Sequence, residues 1–239
     1  MKAMILAAGL GNRMRPLTDH TPKPLLHAGG KPLIEYHLLN LQRAGIHDVI
    51  INLAYLGDKI RAYLGNGSNF GVNIHYSTEP EPLETGGAIV HASQQLGPEP
   101  FLLVNGDVWC DIELGDFIQH HYKYPDRHGH LLLVPNPDFH PKGDFALSTD
   151  GTLLDTPNDI TLPRFTFAGI SLLKPELINH YPHKRQKFPL VEVFRHAISQ
   201  GQLSGEVYNG RWSDVGTPER LYDLDTYLQY QKAGMVRDR

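Results

Sequence analysis

Residues Ile5 to Leu26 read ILAAGLGNRMRPLTDHTPKPLL. The stretch begins inside a short apolar run, Lys2 to Ala8, that stops at Gly9, the pattern of a buried β-strand running into a turn. Gly9 and Gly11 then stand where a dinucleotide-binding GxGxxG would begin. That fingerprint needs a third small residue so that helix and strand can pack closely. Met14 holds the place here, and Pro16, Pro22 and Pro24 keep the chain from entering a helix. The Gly-Lys-Ser/Thr of a Walker loop does not occur. A phosphate cradle still remains in outline. The glycines let backbone N–H groups point at an anion. Arg13 and Arg15 flank the turn, and Lys23 is held between two prolines. A surface loop with solvated cations is the competing reading of the same residues.

Working outward, strands alternate with helices through the first half. Pro32 to Ala44 carries Leu33, Ile34, Leu38 and Leu41 at helical spacing and ends at Gly45. DVIINL (48–53) is β-branched and predicts a strand, Tyr55 to Leu64 a helix, VNIHYS (72–77) a strand, Thr85 to Leu96 a helix and FLLVNGD (101–107) a strand ending in a polar turn. This order argues an α/β fold with a mainly parallel central sheet. Later come a strand at HLLLVP, a hairpin around Asp150-Gly151, a strand at FTFAGISLL, a helix over Leu190–Ser199 and a terminal helix with Pro218 in its first turn. The pattern predicts a single domain over 1–232 and a frayed tail over 233–239.

Composition narrows the function classes. The 239 residues have a formal net charge of −4 without a basic block, so nothing electrostatic points to nucleic acid. Cys110 is the one cysteine, which excludes an internal disulfide or a multi-thiolate zinc site and reads as a small buried apolar residue. With no signal peptide and no membrane-length apolar run, a cytoplasmic protein is expected. His128-Gly129-His130 and His120-His121 invite a metal, but no third ligand stands near and they read as surface residues.

Four motifs occur in order: LAAGLGNRMRPLT…PKPLL, EPLETGGA (81–88), VNGD (104–107) and WSDVGTPE (212–219). Together they resemble the sugar-1-phosphate nucleotidylyltransferase family, with the likeness running from residue 2 to about 225. The form LETGG, with Glu84 where the family often has Gly, resembles its bacterial N-acetylmuramate 1-phosphate uridylyltransferase branch. The resemblance implies a three-layer α/β/α Rossmann-like, GT-A-like nucleotidyltransferase fold with a mixed, mainly parallel sheet. It implies transfer of a nucleotidyl group from an NTP, here UTP, to a sugar 1-phosphate, with pyrophosphate released and Mg²⁺ required. Thymidylyl, guanylyl or uridylyl transfer to glucose or mannose 1-phosphate, or cytidylyl transfer to phosphocholine, keeps the fold and changes the substrate. A regulatory sensor without turnover could dispense with the metal carboxylates and loop cations, which this chain retains.

By the same resemblance, Arg13 and Lys23 act on the phosphates, Arg13 on the triphosphate and Lys23 near the α-phosphate. Leu6, Ala8, Gly9, Gly11 and Asn12 hold the nucleotide, and Glu79 (or Glu81) with Gly86 meets the base. Asn105, Gly143, Asn158 and Gly169 line the sugar side. Asp107 and Asp214 hold Mg²⁺, as two carboxylates from separated motifs can. The family's Glu-Lys-Pro after the hairpin is missing, since the region reads LLDTPNDITLPRF. Another cation must face the sugar phosphate, unless Mg²⁺ and Lys23 suffice, and Arg164 and Lys142 are candidates. The chain carries no hexapeptide repeats, and a monomer is expected.

Overall fold

Alternation along single strands decides the architecture. In β1 (Lys2–Leu6), Ala3 and Ile5 join one body of core and Met4 joins another, as the period-2 geometry of a strand requires. The computed structural model describes residues 1–155 and 162–234. After β1 come a short hairpin, β2 (His27–Ala28) and β3 (Lys31–Pro32), then α1 (Leu33–Arg43), β4 (Asp48–Leu53), α2 (Gly57–Leu64) and β5 (Asn73–Thr78). Next are α3 (Glu84–His91), α4 (Ser93–Leu96), β6 (Phe101–Asn105), β7 (Val108–Cys110) and α5 (Leu114–His121). The chain continues with β8 (Gly129–Val134), β9 (Phe145–Leu147), β10 (Leu153–Leu154), β11 (Arg164–Leu173), α6 (Pro175–Asn179), α7 (Leu190–Ser199), β12 (Leu203–Val207), β13 (Trp212–Asp214) and α8 (Pro218–Lys232).

The main sheet runs β10-β9-β11-β6-β1-β4-β5, with β8 and then β12 branching from β11. The stretch β6-β1-β4-β5 is parallel, and β11 is antiparallel to β6, β8 and β9. The sheet is therefore mixed. Helices α1, α2 and α5 cover one face through Ile34, Leu38, Ile60 and Phe117, packed on Ile5, Val49 and Val104. Helices α3, α6 and α7 cover the other through Ile89, Leu177 and Phe194, packed on Met4, Ile50 and Leu103. These are the three expected layers. A third, smaller core joins Met14 to Trp109, Val215, Leu224 and Leu228, and so ties the opening loop to α8.

Connectivity fixes where a ligand can sit. From β1 the chain steps outward to β4 and β5, then returns to lay β6 on the other side of β1. The order reverses between β1 and β6, and a crevice opens beyond the carboxyl ends of strands at such a switch point. Leu6 and Asn105 end those two strands side by side.

Some local readings change. The helix expected within Thr85–Leu96 is α3, and a further short helix, α4, follows it after Ala92. The histidines expected at the surface are partly interior: His130 is fully buried and His121 nearly so. His130 sits in β8, beneath α5, with Nδ1 at 2.8 Å from Ser204 Oγ and Nε2 at 3.3 Å from Glu206 Oε2. His120 Nδ1 is 2.6 Å from the same Glu206 oxygen. An α5 that closes the sheet turns its last residues inward, a placement that residue type alone does not reveal. Cys110 is buried as expected, and burial pushes its thiol pKa up to about 12. Among the described residues, no helix is long and apolar enough to cross a membrane.

Candidate active site

A cleft of about 500 Å³ lies at the β1/β6 switch point. Its floor is Leu6, Ala8, Asn105 and Asp107, and one wall is the loop Gly9–Arg13. Lys23, Glu79, Thr85 and Gly216 complete it from other parts of the chain.

The loop is shaped by the residues that spoil the dinucleotide fingerprint. Gly11 has φ 66°, the left-handed region, and begins a turn in which Met14 N–H donates to Gly11 C=O at 2.9 Å. Thr18 Oγ1 donates to the same carbonyl at 2.8 Å, and a side chain at Gly11 would strike Thr18. Met14 is buried in the third core, so it anchors the loop from below while Asn12 and Arg13 stand exposed at the cleft. Lys23 starts a short 3-10 turn between its prolines. Its side chain is nine-tenths buried, and Nζ donates to Asp107 Oδ2 at 2.7 Å.

Asp107 and Asp214 come together through strand pairing. β7 and β13 are antiparallel with Asp214 opposite Val108, and Val215 N–H donates to the Asp107 carbonyl at 2.9 Å. Asp214 Oδ2 accepts from Arg220 Nη1, in the first turn of α8, at 2.9 Å. Between Asp214 and Arg220, Gly216 lines the cleft, and a Cβ there would meet the guanidinium groups of Arg220 and Arg13 at 2.2 and 3.2 Å. The glycine of the WSDVG motif thus admits two arginines beside Asp107 and Asp214. Two oxygen-donor side chains, each already steadied by a cation, suit a hard divalent ion that takes its remaining ligands from phosphates and water. Among the described residues no set of three or more His, Cys, Asp or Glu side chains is grouped to hold a metal ion. Below Asp107, the buried His37 has its pKa lowered to about 4 by burial, against the pull of the Asp107 charge.

The remaining expected residues divide. Glu79 lines the cleft, but it is buried and both its oxygens are engaged, Oε1 by Asn52 Nδ2 at 2.7 Å and Oε2 by Leu83 N–H at 3.0 Å. Asn52 Oδ1 in turn accepts from Ala7 N–H at 2.7 Å. Glu79 therefore braces the β1 and β4 ends to the loop before α3. Gly86 is not on the cleft wall: a Cβ there would lie 2.4 Å from the Phe188 ring, so the close approach it permits is to Phe188 rather than to a base. Glu84, two residues earlier, does line the cleft and has φ 60°. Gly143 and Gly169, both with positive φ, also lie off the wall. Gly143 packs on Asn136, and Gly169 sits at the β11 bulge against Asn105 and Val108, holding Asn105 at the cleft from behind. Asn158 falls outside the described residues. Of the two cations offered for the sugar phosphate, Arg164 donates to the carbonyls of Lys142, Asp144 and Asp155 and is structural. The residues missed from sequence are Asn52, Lys187 and Arg220, none of which carries a motif signal beyond Arg220's place just after WSDVGTPE.

The nucleotidyl transferase family matches residues 2–231. A Neisseria meningitidis N-acetylmuramate alpha-1-phosphate uridylyltransferase is 46% identical over 223 residues, covering 92% of this chain and 95% of that protein. An Aspergillus oryzae mannose-1-phosphate guanyltransferase is 31% identical, covering 92% of this chain and 62% of its own length. A Bacillus anthracis structure named as a glucose-1-phosphate thymidylyltransferase, solved with sucrose, superposes with a TM-score of 0.84 at 21% identity over 96% of this chain and 95% of that one, a likeness of fold. With the four motifs gathered on one cleft and the family match running nearly end to end, the chain belongs to the sugar-1-phosphate nucleotidylyltransferases and is a nucleotidyltransferase enzyme.

Proposed function

We propose that the enzyme makes UDP-N-acetylmuramate and pyrophosphate from UTP and N-acetylmuramate α-1-phosphate, a step of peptidoglycan recycling in the cytoplasm. The observation that carries this reading is the 46% identity to the Neisseria uridylyltransferase across almost the full length of both chains. The LETGG stretch over Leu83–Gly87 supports it locally.

The chemistry follows from the cleft. The attacking group is an oxygen of the sugar phosphate, already anionic, so no general base is required. The difficulty is to bring two polyanions together in line and to stabilise charge on the departing pyrophosphate, a task of positioning and electrostatics. The Gly9–Asn12 backbone and Arg13 receive the β- and γ-phosphates. Lys23 stands next to Asp107, so a phosphate held by Lys23 also lies beside a carboxylate, an arrangement that calls for a divalent cation between them. Asp107 and Asp214 would hold Mg²⁺, and the bound ion would supply neutralisation of phosphate charge. Glu84 and Thr85 form the wall that lines base and sugar, and Asn105 donates toward the sugar. The reading includes one catalytic domain acting as a monomer.

A screen of UTP, dTTP, GTP and CTP against sugar 1-phosphates, scored by pyrophosphate release, tests this. Turnover of UTP with N-acetylmuramate 1-phosphate is expected, and chelation of Mg²⁺ by EDTA should stop it reversibly. Use of glucose or mannose 1-phosphate with none of the muramate would sink the substrate assignment.

A further inference from the structure

Proposing this substrate leaves one of its groups without a partner. N-acetylmuramate carries a lactyl ether whose carboxylate is ionised at neutral pH, and N-acetylglucosamine does not. A carboxylate entering a cleft is costly to desolvate unless a cation meets it. Most cations around the site are committed. Lys23 is on Asp107, Arg220 on Asp214, Arg164 on three carbonyls, and Arg13 belongs to the phosphate loop. Lys187 remains. It lines the cleft beside Glu84 and Thr85, and it forms no ion pair with a carboxylate among the described residues.

Its backbone is clamped to the start of α3. Phe188 N–H donates to the Leu83 carbonyl at 3.3 Å, and the Phe188 carbonyl accepts from Gly86 and Gly87 N–H at 2.9 and 3.2 Å. Leu190 N–H donates to Thr85 Oγ1 at 2.7 Å. Phe188 is fully buried in the core that also holds Phe165 and Phe167 of β11. The Lys187 segment is thereby fixed against the start of α3, while the phosphate loop is anchored separately, through Met14 in the third core.

We propose that Lys187 is a specificity-determining residue that pairs with the carboxylate of the acidic sugar substrate. This rests on the substrate reading above. The test measures kcat and KM of the purified enzyme with UTP and either N-acetylmuramate 1-phosphate or N-acetylglucosamine 1-phosphate, the latter also as a competitive inhibitor. Lys187→Gln should raise KM for the muramate about 10- to 100-fold, the range of a lost charge-assisted hydrogen bond. It should leave KM or Ki for the glucosamine within about twofold of wild type, and Lys187→Arg should restore most of the muramate affinity. Equal losses on both sugars would place Lys187 on the shared 1-phosphate or the nucleotide and overturn the proposal, as would no loss on either. Wild-type enzyme that prefers the glucosamine overturns the substrate reading itself. Wild type that prefers the muramate, with a Lys187→Gln variant that keeps the preference, overturns the role of Lys187 alone.

Discussion

Asp107 faces a lysine at 2.7 Å at the cleft and directly precedes the strand that pairs with Asp214, so the proposed chemistry puts its side chain to work on the substrate rather than in the core. With 38% of that side chain exposed, Asp107→Ala should abolish turnover while shifting the melting temperature by only a few degrees. Full activity in the variant would rule out the metal assignment. Arg13 is exposed on the same cleft, and Arg13→Ala should lower kcat by roughly 10²- to 10³-fold, the cost of losing one donor aimed at developing charge. Glu84 makes the opposite kind of prediction. A β-carbon at φ 60° costs about 1–2 kcal/mol, and a glycine there costs about 0.5–1 kcal/mol of extra chain entropy when folding. Glu84→Gly should therefore gain on the order of 0.5 kcal/mol in urea unfolding, and a clear loss would mean that the side chain makes a stabilising contact. The glycine- and cation-rich loop and Asp107 stood out in the sequence by their fixed spacings, and the structure brings them to one cleft, with Asp214 paired beside it. Lys187 and Arg220 did not stand out, because each reaches the cleft through a tertiary contact. For Lys187 it is the Phe188 clamp, and for Arg220 the ion pair with Asp214.

Among the elements, the start of α3 is where the fold meets the site most tightly. Gly87 lies under the Gln186 carbonyl, and a Cβ there would come within 2.4 Å of that oxygen. Backbone cannot swing aside as a side chain can, so Gly87→Ala must push the Lys187 segment away. The expected cost is about 1–3 kcal/mol in chemical denaturation, with a rise in KM for the sugar phosphate. An alanine variant of native stability would show that the two segments move apart freely. The elements themselves follow plainly from periodicity where strands are buried on both sides, as with DVIINL and FLLVN, and where a helix is amphipathic, as with α7. Several pieces escape such a reading, the short helices α5 and α6 and the β2/β3 hairpin among them. β7 and β13 are short and exist because they pair with each other. β12 (LSGEV), which ends its branch of the sheet, is polar because its Ser204 and Glu206 meet the histidines of β8 and α5.

Taken as a whole, the molecule stores a pH dependence in its interior histidines. Burial lowers His37 to about 4, and burial, His130 and Lys174 together lower His121 to about 4, against 6.5 for a free imidazole. His37 Nε2 and His121 Nδ1 are buried without a hydrogen-bond partner among the described residues, as fits rings held neutral. The unfolded chain takes up a proton at each ring as pH falls through 6.5, whereas the folded protein resists until about 4. The unfolded state thus binds more protons, and stability must fall as pH drops across that window, then level off below it. Between the two values each ring contributes a slope of about 1.4 kcal/mol per pH unit, so the pair gives about 2.7. A second, lower window belongs to Glu192, whose pKa is lowered to about 2 by hydrogen bonds from Arg185 and Tyr181 and whose contribution is lost as pH falls below 4.5. Urea midpoints measured from pH 7 to pH 3 separate the two. His121→Leu should halve the slope between pH 6 and 4.5 and leave the lower limb unchanged. A flat profile from pH 6 to 4.5 in the wild-type protein would contradict the neutral, buried state of both rings.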